Sequence, residues 1–315
     1  MRTVFSAEEK TKLLSIIAVW RRDQLTQDVF RKLNLKYGIP AYLIENLFWQ
    51  LEILGRLLPL SEYLIFKGGS CVQSYIDPLL QRASNDLDFN TTIENPNALM
   101  QKIEELNNLL ITQGRAIKIQ GVQYGVFEFE FNDTVSGTLN YRHRMPSRFG
   151  EYELVAKKEV QAKAIKVQIN YKHSWLPAIK KVMKSVEFFI TEVEPVKRII
   201  FPHASIEDLI VDKILATNEH TGRERFKDIY DLIVLFGLNY EKTLINNKLL
   251  LIAKKTERQS GDLIKSSANT VTIFGERSEE ARGFVGMVGR KGKELLKDWE
   301  MNCEKLAEKI MNLIL

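Results

Sequence analysis

The residues with the most chemical content form one run. Lys67-Gly68-Gly69-Ser70 is followed, after a short interval, by Arg82-Ala83-Ser84-Asn85-Asp86-Leu87-Asp88-Phe89. Asp86 and Asp88 alternate with Leu87 and Phe89, a strand pattern that puts both carboxylates on one face. Two like charges so close repel one another unless a cation sits between them. Mg²⁺ suits such a pair, because it commonly takes one or two protein carboxylates and completes its shell with substrate phosphates. The other reading is a solvated edge strand. The glycine pair ahead of it lets backbone approach a ligand closely. A helix opening at Ser70 would aim its unpaired N–H groups and positive end at an anion such as phosphate. Ser70, with Gln73 three residues on, could equally be a helix cap. Turn, helix and Asp-x-Asp strand together are more specific than any part alone.

Elements that could position this run are legible on both sides of it. Helices are expected at about 6–20, 23–37 and 40–57. The last has Leu43, Ile44, Leu47, Phe48 and Leu51 on one buried face and Pro40 in its first turn. Tyr63-Leu64-Ile65-Phe66 reads as a buried strand entering the glycine turn, and Asp77-Pro78 should end or kink the helix that follows. After the strand at Asp86–Asn90 come a helix at about 97–112 and strand candidates at Ala116–Gln120, Gly125–Phe131, Thr138–Tyr141 and Ala164–Tyr171. Ser205-Ile206-Glu207-Asp208 is a capping-box-like start for a helix to about Asn218. A second helix covers about 223–236, and more helical segments follow. The order is helices, a mixed α/β core, then a helical C-terminal part. The expected division is 1–200 and 201–315.

Composition excludes several classes. At 315 residues, 45% hydrophobic and 27% charged, the chain is an ordinary globular one, not disordered or collagenous. Two cysteines, Cys71 and Cys303, have no pairing pattern and no Cys-x-x-Cys, which argues against a disulfide framework or cysteine zinc site. His143, His173, His203 and His220 lack zinc-site spacing. No signal-peptide core and no apolar run long enough for a membrane span stand out, so a cytoplasmic location is expected. The net charge of +5 is compatible with a phosphate-bearing partner without requiring one.

The run Gly69-Ser70, then Arg82-x-Ser84-x-Asp86-x-Asp88, resembles the signature of the nucleotidyltransferase superfamily that includes DNA polymerase beta. Its fuller form, FKGGS followed by RASNDLDF, is similar to the AbiEii/AbiGii-type toxins, a branch that includes the MenT toxins. A second block fits the same branch: Ser205 to Ala216, with Lys213 before Ala216, then Arg223-Glu224-Arg225-Phe226-Lys227-Asp228-Ile229-Tyr230-Asp231-Leu232. The resemblance implies an α/β nucleotidyltransferase core, a short mixed sheet flanked by helices, with N-terminal helices and a helical C-terminal domain that completes the nucleotide cleft. It implies Mg²⁺-dependent transfer of a nucleoside monophosphate from an NTP to an acceptor hydroxyl. A toxin role beside a cognate antitoxin, or in phage defence, is implied too, with tRNA or another RNA as acceptor. Asp86 and Asp88 would hold the metal. Lys67, Gly68, Gly69, Ser70, Arg82 and Ser84 would surround the nucleotide, Lys213 would reach the triphosphate, and Asp228 would be the acidic residue of the later block. Arg225, Asp228 and Asp231 fall close to one side of their helix. An ordinary helix–helix salt bridge is the alternative for Lys213 and Asp228.

One departure stands out. Such enzymes usually carry a third carboxylate on a later core strand, and the best-fitting strand, Lys166-Val167-Gln168-Ile169-Asn170, has neutral Gln168 in that slot. Glu128 and Glu130 are alternative sources. Asp228 could substitute, or the metal could activate the acceptor. The same site could instead modify a protein or small molecule, or bind a nucleotide without turnover. Between Glu159 and Glu187 there is no acidic residue, while Lys163, Lys166, Lys172, Lys180, Lys181 and Lys184 interleave with Tyr171, His173 and Trp175. Lys172, Trp175, Lys180, Lys181 and Lys184 are therefore expected to bind the RNA acceptor by phosphate contact and base stacking. A solvated face is the alternative. Met145-Pro146 and Gly283–Gly289 read as loops, and the glycine-rich segment matches neither a P-loop nor a dinucleotide fingerprint.

Overall fold

The computed structural model describes residues 6–8, 11, 27–84, 86–93, 95–112, 117–119, 122–124, 128–131, 134–141, 144–146, 152–154, 163–170, 181–193, 197–219 and 225–313. The chain runs α1 (Gln27–Tyr37), α2 (Ala41–Leu57), β1 (Leu64–Lys67), α3 (Gly68–Gln73), β2 (Asp86–Thr91) and α4 (Pro96–Thr112). Strands β3 (Ile117–Ile119), β4 (Val122–Tyr124), β5 (Glu128–Phe131), β6 (Thr134–Tyr141), β7 (Arg144–Pro146), β8 (Tyr152–Leu154), β9 (Lys163–Asn170), β10 (Lys181–Ser185) and β11 (Ile200–Ala204) follow. The remainder is helical: α5 (Ile206–Glu219), α6 (Arg225–Leu235), α7 (Lys242–Lys255), α8 (Ser260–Gly275), α9 (Ser278–Arg282), α10 (Arg290–Lys297) and α11 (Trp299–Met311). Among the described residues no helix is long and apolar enough to cross a membrane.

One mixed sheet carries the core, in the order β10-β11-β1-β2-β9-β6-β5. β1 pairs antiparallel with β2 and parallel with β11, and β2 pairs parallel with β9. Because side chains alternate, the two faces differ in kind. Leu64, Phe66, Leu87, Phe89, Val167 and Ile169 share the apolar face and are all fully buried. The opposite face carries Lys67, Asp86, Asp88, Gln168 and Asn170. Both β10 and β11 depart from the expectation. Pro202 argues against a strand in sequence, and the lysines of β10 suggest an open polar segment, yet the two pair from Lys181↔Ala204 to Ser185↔Ile200. A division at 200/201 would cut β11, so the helical part is better drawn from Ser205 onward. Met145-Pro146, expected in a loop, lies in β7 and pairs with β8.

Two further departures concern α2 and α3. Helix α2 is buried from Leu43 to Leu57 on every side, not along one face, and Pro40 is its N-cap residue. A helix buried all round must satisfy its polar groups internally or through neighbours. Arg56 donates to the Glu52 carboxylate at 2.7 Å. Gln50 donates to the Ser84 carbonyl at 2.5 Å and accepts from the Ser70 hydroxyl at 3.2 Å. Helix α3 starts at Gly68, two residues before Ser70, and ends at Gln73, well ahead of Asp77-Pro78. Ser205 caps α5 as expected, accepting from Asp208 N at 3.2 Å and donating to its carboxylate at 2.9 Å.

The glycine-rich segment is a clasp. Ala83 N donates to Met287 O (2.7 Å), Gly289 N to Gln81 O (2.8 Å) and Lys291 N to Leu79 O (3.1 Å), with Val288 bridged to Arg82. A Cβ on Gly289 would collide with the Leu79 carbonyl, and one on Gly292 with the Tyr230 hydroxyl. That hydroxyl donates to Leu80 O at 2.5 Å. Lys293 donates to Gly38 O at 2.8 Å, where α1 ends in a glycine at φ +74°. Segment 285–293 thus ties α1, α6 and the approach to β2 together.

Candidate active site

The turn from β1 into α3 faces β2 across a very short gap. Gly68 has φ +72°, a conformation that only glycine adopts without strain, and a Cβ there would overlap the Asp88 carboxylate. Lys67 pairs in register with Asp88, and Asp88 with Gln168 on β9. Helices α5 and α6 close over this face. The resulting cleft of about 450 Å³ is lined by Lys67, Gly68, Gly69, Asp88, Phe89, Gln168, Asn170, Asp212, Lys213, Ala216, Arg225 and Asp228. Residues more than 120 positions apart in sequence therefore meet around one polar hollow.

Behind the cleft runs a chain of alternating charges. Arg82 grips Asp231 with both sides of its fork, at 2.7 and 2.6 Å. Lys213 is 3.0 Å from the same Asp231 and 2.5 Å from Asp228, and Arg225 is 2.5 Å from the other Asp228 oxygen. Three cations thus face two carboxylates, leaving a local excess of one positive charge. Burial alone would push the Lys213 ammonium down, but Asp231 and Asp228 reverse this and hold it above the ordinary lysine range. Asp231 is likewise pulled below the usual carboxylate range by Arg82 and Lys213, against the effect of burial. Asp88 behaves in the opposite way. Burial pushes its carboxyl up to about 6, with Asp86 and Asp212 adding and Lys67 and Lys213 opposing. A cation beside Asp88 would remove that penalty.

Of the residues singled out in sequence, Lys67, Gly68, Gly69, Asp88, Lys213 and Asp228 line the cleft. Asp86 is exposed on the same strand face, one step nearer the strand start. Ser70, Arg82 and Ser84 do not line it. The Ser70 hydroxyl is buried and donates to Asp86 O at 2.5 Å, Ser84 receives Gln50, and Arg82 lies under Gly69, committed to Asp231. These three fix the turn and strand from behind. Lys181 and Lys184 alternate on β10 and so point to opposite faces. Lys181 donates to Glu62 O at 3.1 Å, and Lys184 stacks its ammonium 5.5 Å from the Tyr75 ring. Lys172, Trp175 and Lys180 lie outside the described residues. The backbone of Glu128 and Glu130 is three strands from β2, about 14 Å, beyond the shared reach of two carboxylates. Sequence reasoning passed over Asp212, Asn170 and the anchoring Gln50. The first was masked by its neighbour Lys213, and the other two belong to no motif.

The model of the family described as nucleotidyl transferase AbiEii toxin, type IV toxin–antitoxin system, matches residues 52–300. The chain belongs to the AbiEii nucleotidyltransferase toxin family. That span takes in the glycine turn, the Asp-x-Asp strand, both cleft helices and the clasp. Among solved structures the chain is similar to MenT4, a nucleotidyltransferase toxin from Mycobacterium tuberculosis H37Rv. The TM-score is 0.50 at 14% identity, over 92% of this chain and 98% of that one. At that identity the likeness concerns the fold, which is the α/β core with a helical C-terminal part expected from sequence. Comparison with curated protein sequences finds no match. As an AbiEii protein the chain is a nucleotidyltransferase and a toxin of a type IV system, whose partner is an antitoxin.

The residues present also fit a divalent ion. Among the described residues no group of three or more His, Cys, Asp or Glu side chains is placed to hold a metal ion. Asp86 and Asp88 instead offer two carboxylates on one strand face beside an open hollow, the arrangement by which Mg²⁺ is shared with substrate phosphates.

Proposed function

We propose that this AbiEii protein transfers a nucleoside monophosphate from an NTP to a hydroxyl of an RNA acceptor, tRNA above all, in the cytoplasm. The observation that carries the reading is the pairing of opposite charges across one cleft, with Asp88 and the glycine turn on one wall and Lys213 and Arg225 on the other. Asp86 and Asp88 would hold Mg²⁺, which when bound supplies charge neutralisation at the triphosphate. Lys67, Gly68 and Gly69 then form the phosphate side, where bare backbone can approach without a Cβ in the way. Lys213 and Arg225 exchange part of their hold on Asp228 for phosphate oxygens, and the local positive excess favours that exchange. Arg82 and Asp231 keep the two walls in register. Most of the acceleration then comes from positioning and electrostatics.

The acceptor reading rests on the lysine- and aromatic-rich stretch from 161 to 186 and on the excess of cations over the chain. Within it, exposed Lys181 is suited to a phosphate contact, together with Lys172, Trp175 and Lys180. Lys184, turned onto Tyr75, is the least suited. The test is incubation with each α-labelled NTP and Mg²⁺ or chelator, using purified total RNA or total protein as acceptor. The expected result is label on tRNA, lost in chelator and in Asp88→Asn. RNA affinity should fall steeply with salt, less steeply in Lys181→Ala. Label on protein alone would replace the RNA reading with protein modification.

A further inference from the structure

On the sheet wall of the cleft, the position beside Asp88 carries a neutral side chain. This is Gln168, which as an amide cannot take up the acceptor's proton. Asp228 is clamped between Lys213 and Arg225, both at 2.5 Å, and Asp231 is sealed between Arg82 and Lys213. Asp212 differs from all of these. It lines the same cleft from α5, its side chain is 34% exposed, and the Lys67 ammonium stands 3.4 Å from its carboxylate. Its contact with Lys67, the residue just before the glycine turn, sets it against the glycine-turn wall. Lys213, the next residue on α5, turns away toward α6.

We infer that Asp212 is the general base of nucleotidyl transfer, supplied by a helix where the strand position beside Asp88 is neutral. This rests on the reading of the cleft as the transfer site. In the step, the acceptor's O–H bond breaks and its proton passes to an Asp212 oxygen. The freed electron pair forms the bond to the α-phosphorus. The bond from that phosphorus to the bridging oxygen breaks, and pyrophosphate leaves with its electrons. Lys67 holds Asp212 toward the sheet by a contact loose enough for the carboxylate to turn to the acceptor. The groups facing Asp212 are Lys67 from β1, Asp88 from β2 and Cys71 from α3, with Lys213 on its own helix. None of the others is placed to take the proton without giving up a partner or a metal.

The test compares wild type with Asp212→Asn, Asp212→Glu and Asp88→Asn. Each is assayed for transfer of α-labelled NTP to total RNA or heat-denatured total protein, and for Mn²⁺ binding by titration calorimetry. Asp212→Asn should lower kcat by about 100-fold or more, the size of a lost general base. Its NTP KM and Mn²⁺ affinity should stay within about threefold of wild type, and Asp212→Glu should recover part of the rate. Asp88→Asn should lose both transfer and Mn²⁺ binding. If Asp88→Asn is inactive while Asp212→Asn keeps wild-type kcat, the base assignment falls and the site stands. Should Asp212→Asn lose Mn²⁺ as Asp88→Asn does, Asp212 is a metal ligand and the inference is overturned. Full activity in both Asn variants, or no label transferred by wild type, would overturn the site reading with it.

Discussion

Adjacent residues of β1 face opposite sides of the sheet, Lys67 beside Asp88 and Phe66 beside His203, and these two titratable partners answer acid in opposite senses. The fully buried His203 ring donates from Nδ1 to Phe201 O at 2.8 Å, since a carbonyl can only accept. Burial lowers its pKa to about 4. The unfolded chain therefore takes a proton near pH 6.5 that the native state refuses, and stability falls as pH drops from there toward 4. Asp88, raised to about 6, binds its proton more readily when folded, so its contribution is present at low pH and lost as pH rises through 6. Each is worth on the order of 3 kcal/mol, with opposite sign, over nearly the same window. In chelator, Asp88→Asn should make urea stability fall more steeply than wild type between pH 6.5 and 4, and His203→Asn should make it rise. Equal slopes in all three proteins would refute this balance. Lys213→Met should lose up to about 3 kcal/mol, tempered because Asp228 and Asp231 each keep an arginine, and should also lose NTP affinity. Unfolding with intact NTP affinity would make Lys213 a salt bridge alone. The Asp-x-Asp pair and the glycine turn were legible in sequence because their spacing is local. The burial of Arg82 was not, since its partner Asp231 lies 149 residues away.

At the scale of elements, the same contrast between local and distant information recurs. Strand β1 announces itself by a short apolar run, β2 and β9 by polar–apolar alternation, and α5 by its capping box. The all-round burial of α2 does not, because Glu52 and Arg56 read as a polar face until their own pairing is seen. Nor does the clasp, whose glycines are explained only by what presses on them. Gly292→Ala should push the Tyr230 hydroxyl off Leu80 O and loosen the approach to β2. A cost of about 1–3 kcal/mol is expected, the usual range for overpacking, together with a drop in turnover per folded molecule. Gly286→Ala is the control, since a Cβ there would have nothing within 4 Å. Chemical denaturation and transfer rates of both variants check this; equal behaviour would reduce the clasp to an ordinary loop.

Considered whole, the molecule is divided by element type but joined by charge and clasp. We propose that the sheet-bearing part, through Ala204, and the helical part, from Ser205, fold as one cooperative unit. Arg82 is buried in the first part and answered by Asp231 in the second, so separating them would strip Arg82 of its carboxylate and leave Asp231 with Lys213 alone, and breaking a buried pair costs several kcal/mol. The backbone bonds between 79–83 and 287–292 add to this coupling. Two of the four tryptophans report on the two parts. Trp49 is buried in α2. Trp299 is buried in α11, donating to Phe274 O at 2.8 Å and packed 5.7 Å from the Phe226 ring. With Trp20 and Trp175 replaced by Phe, two single-tryptophan proteins can be made by replacing Trp49 or Trp299 in turn. Once each is normalised to its own far-UV transition, fluorescence and circular dichroism should coincide in both, as a two-state transition requires. Asp231→Asn should destabilise the two together. Separate midpoints for the Trp49 and Trp299 signals, or an Asp231→Asn effect confined to one of them, would mean that the cleft lies between independently stable parts.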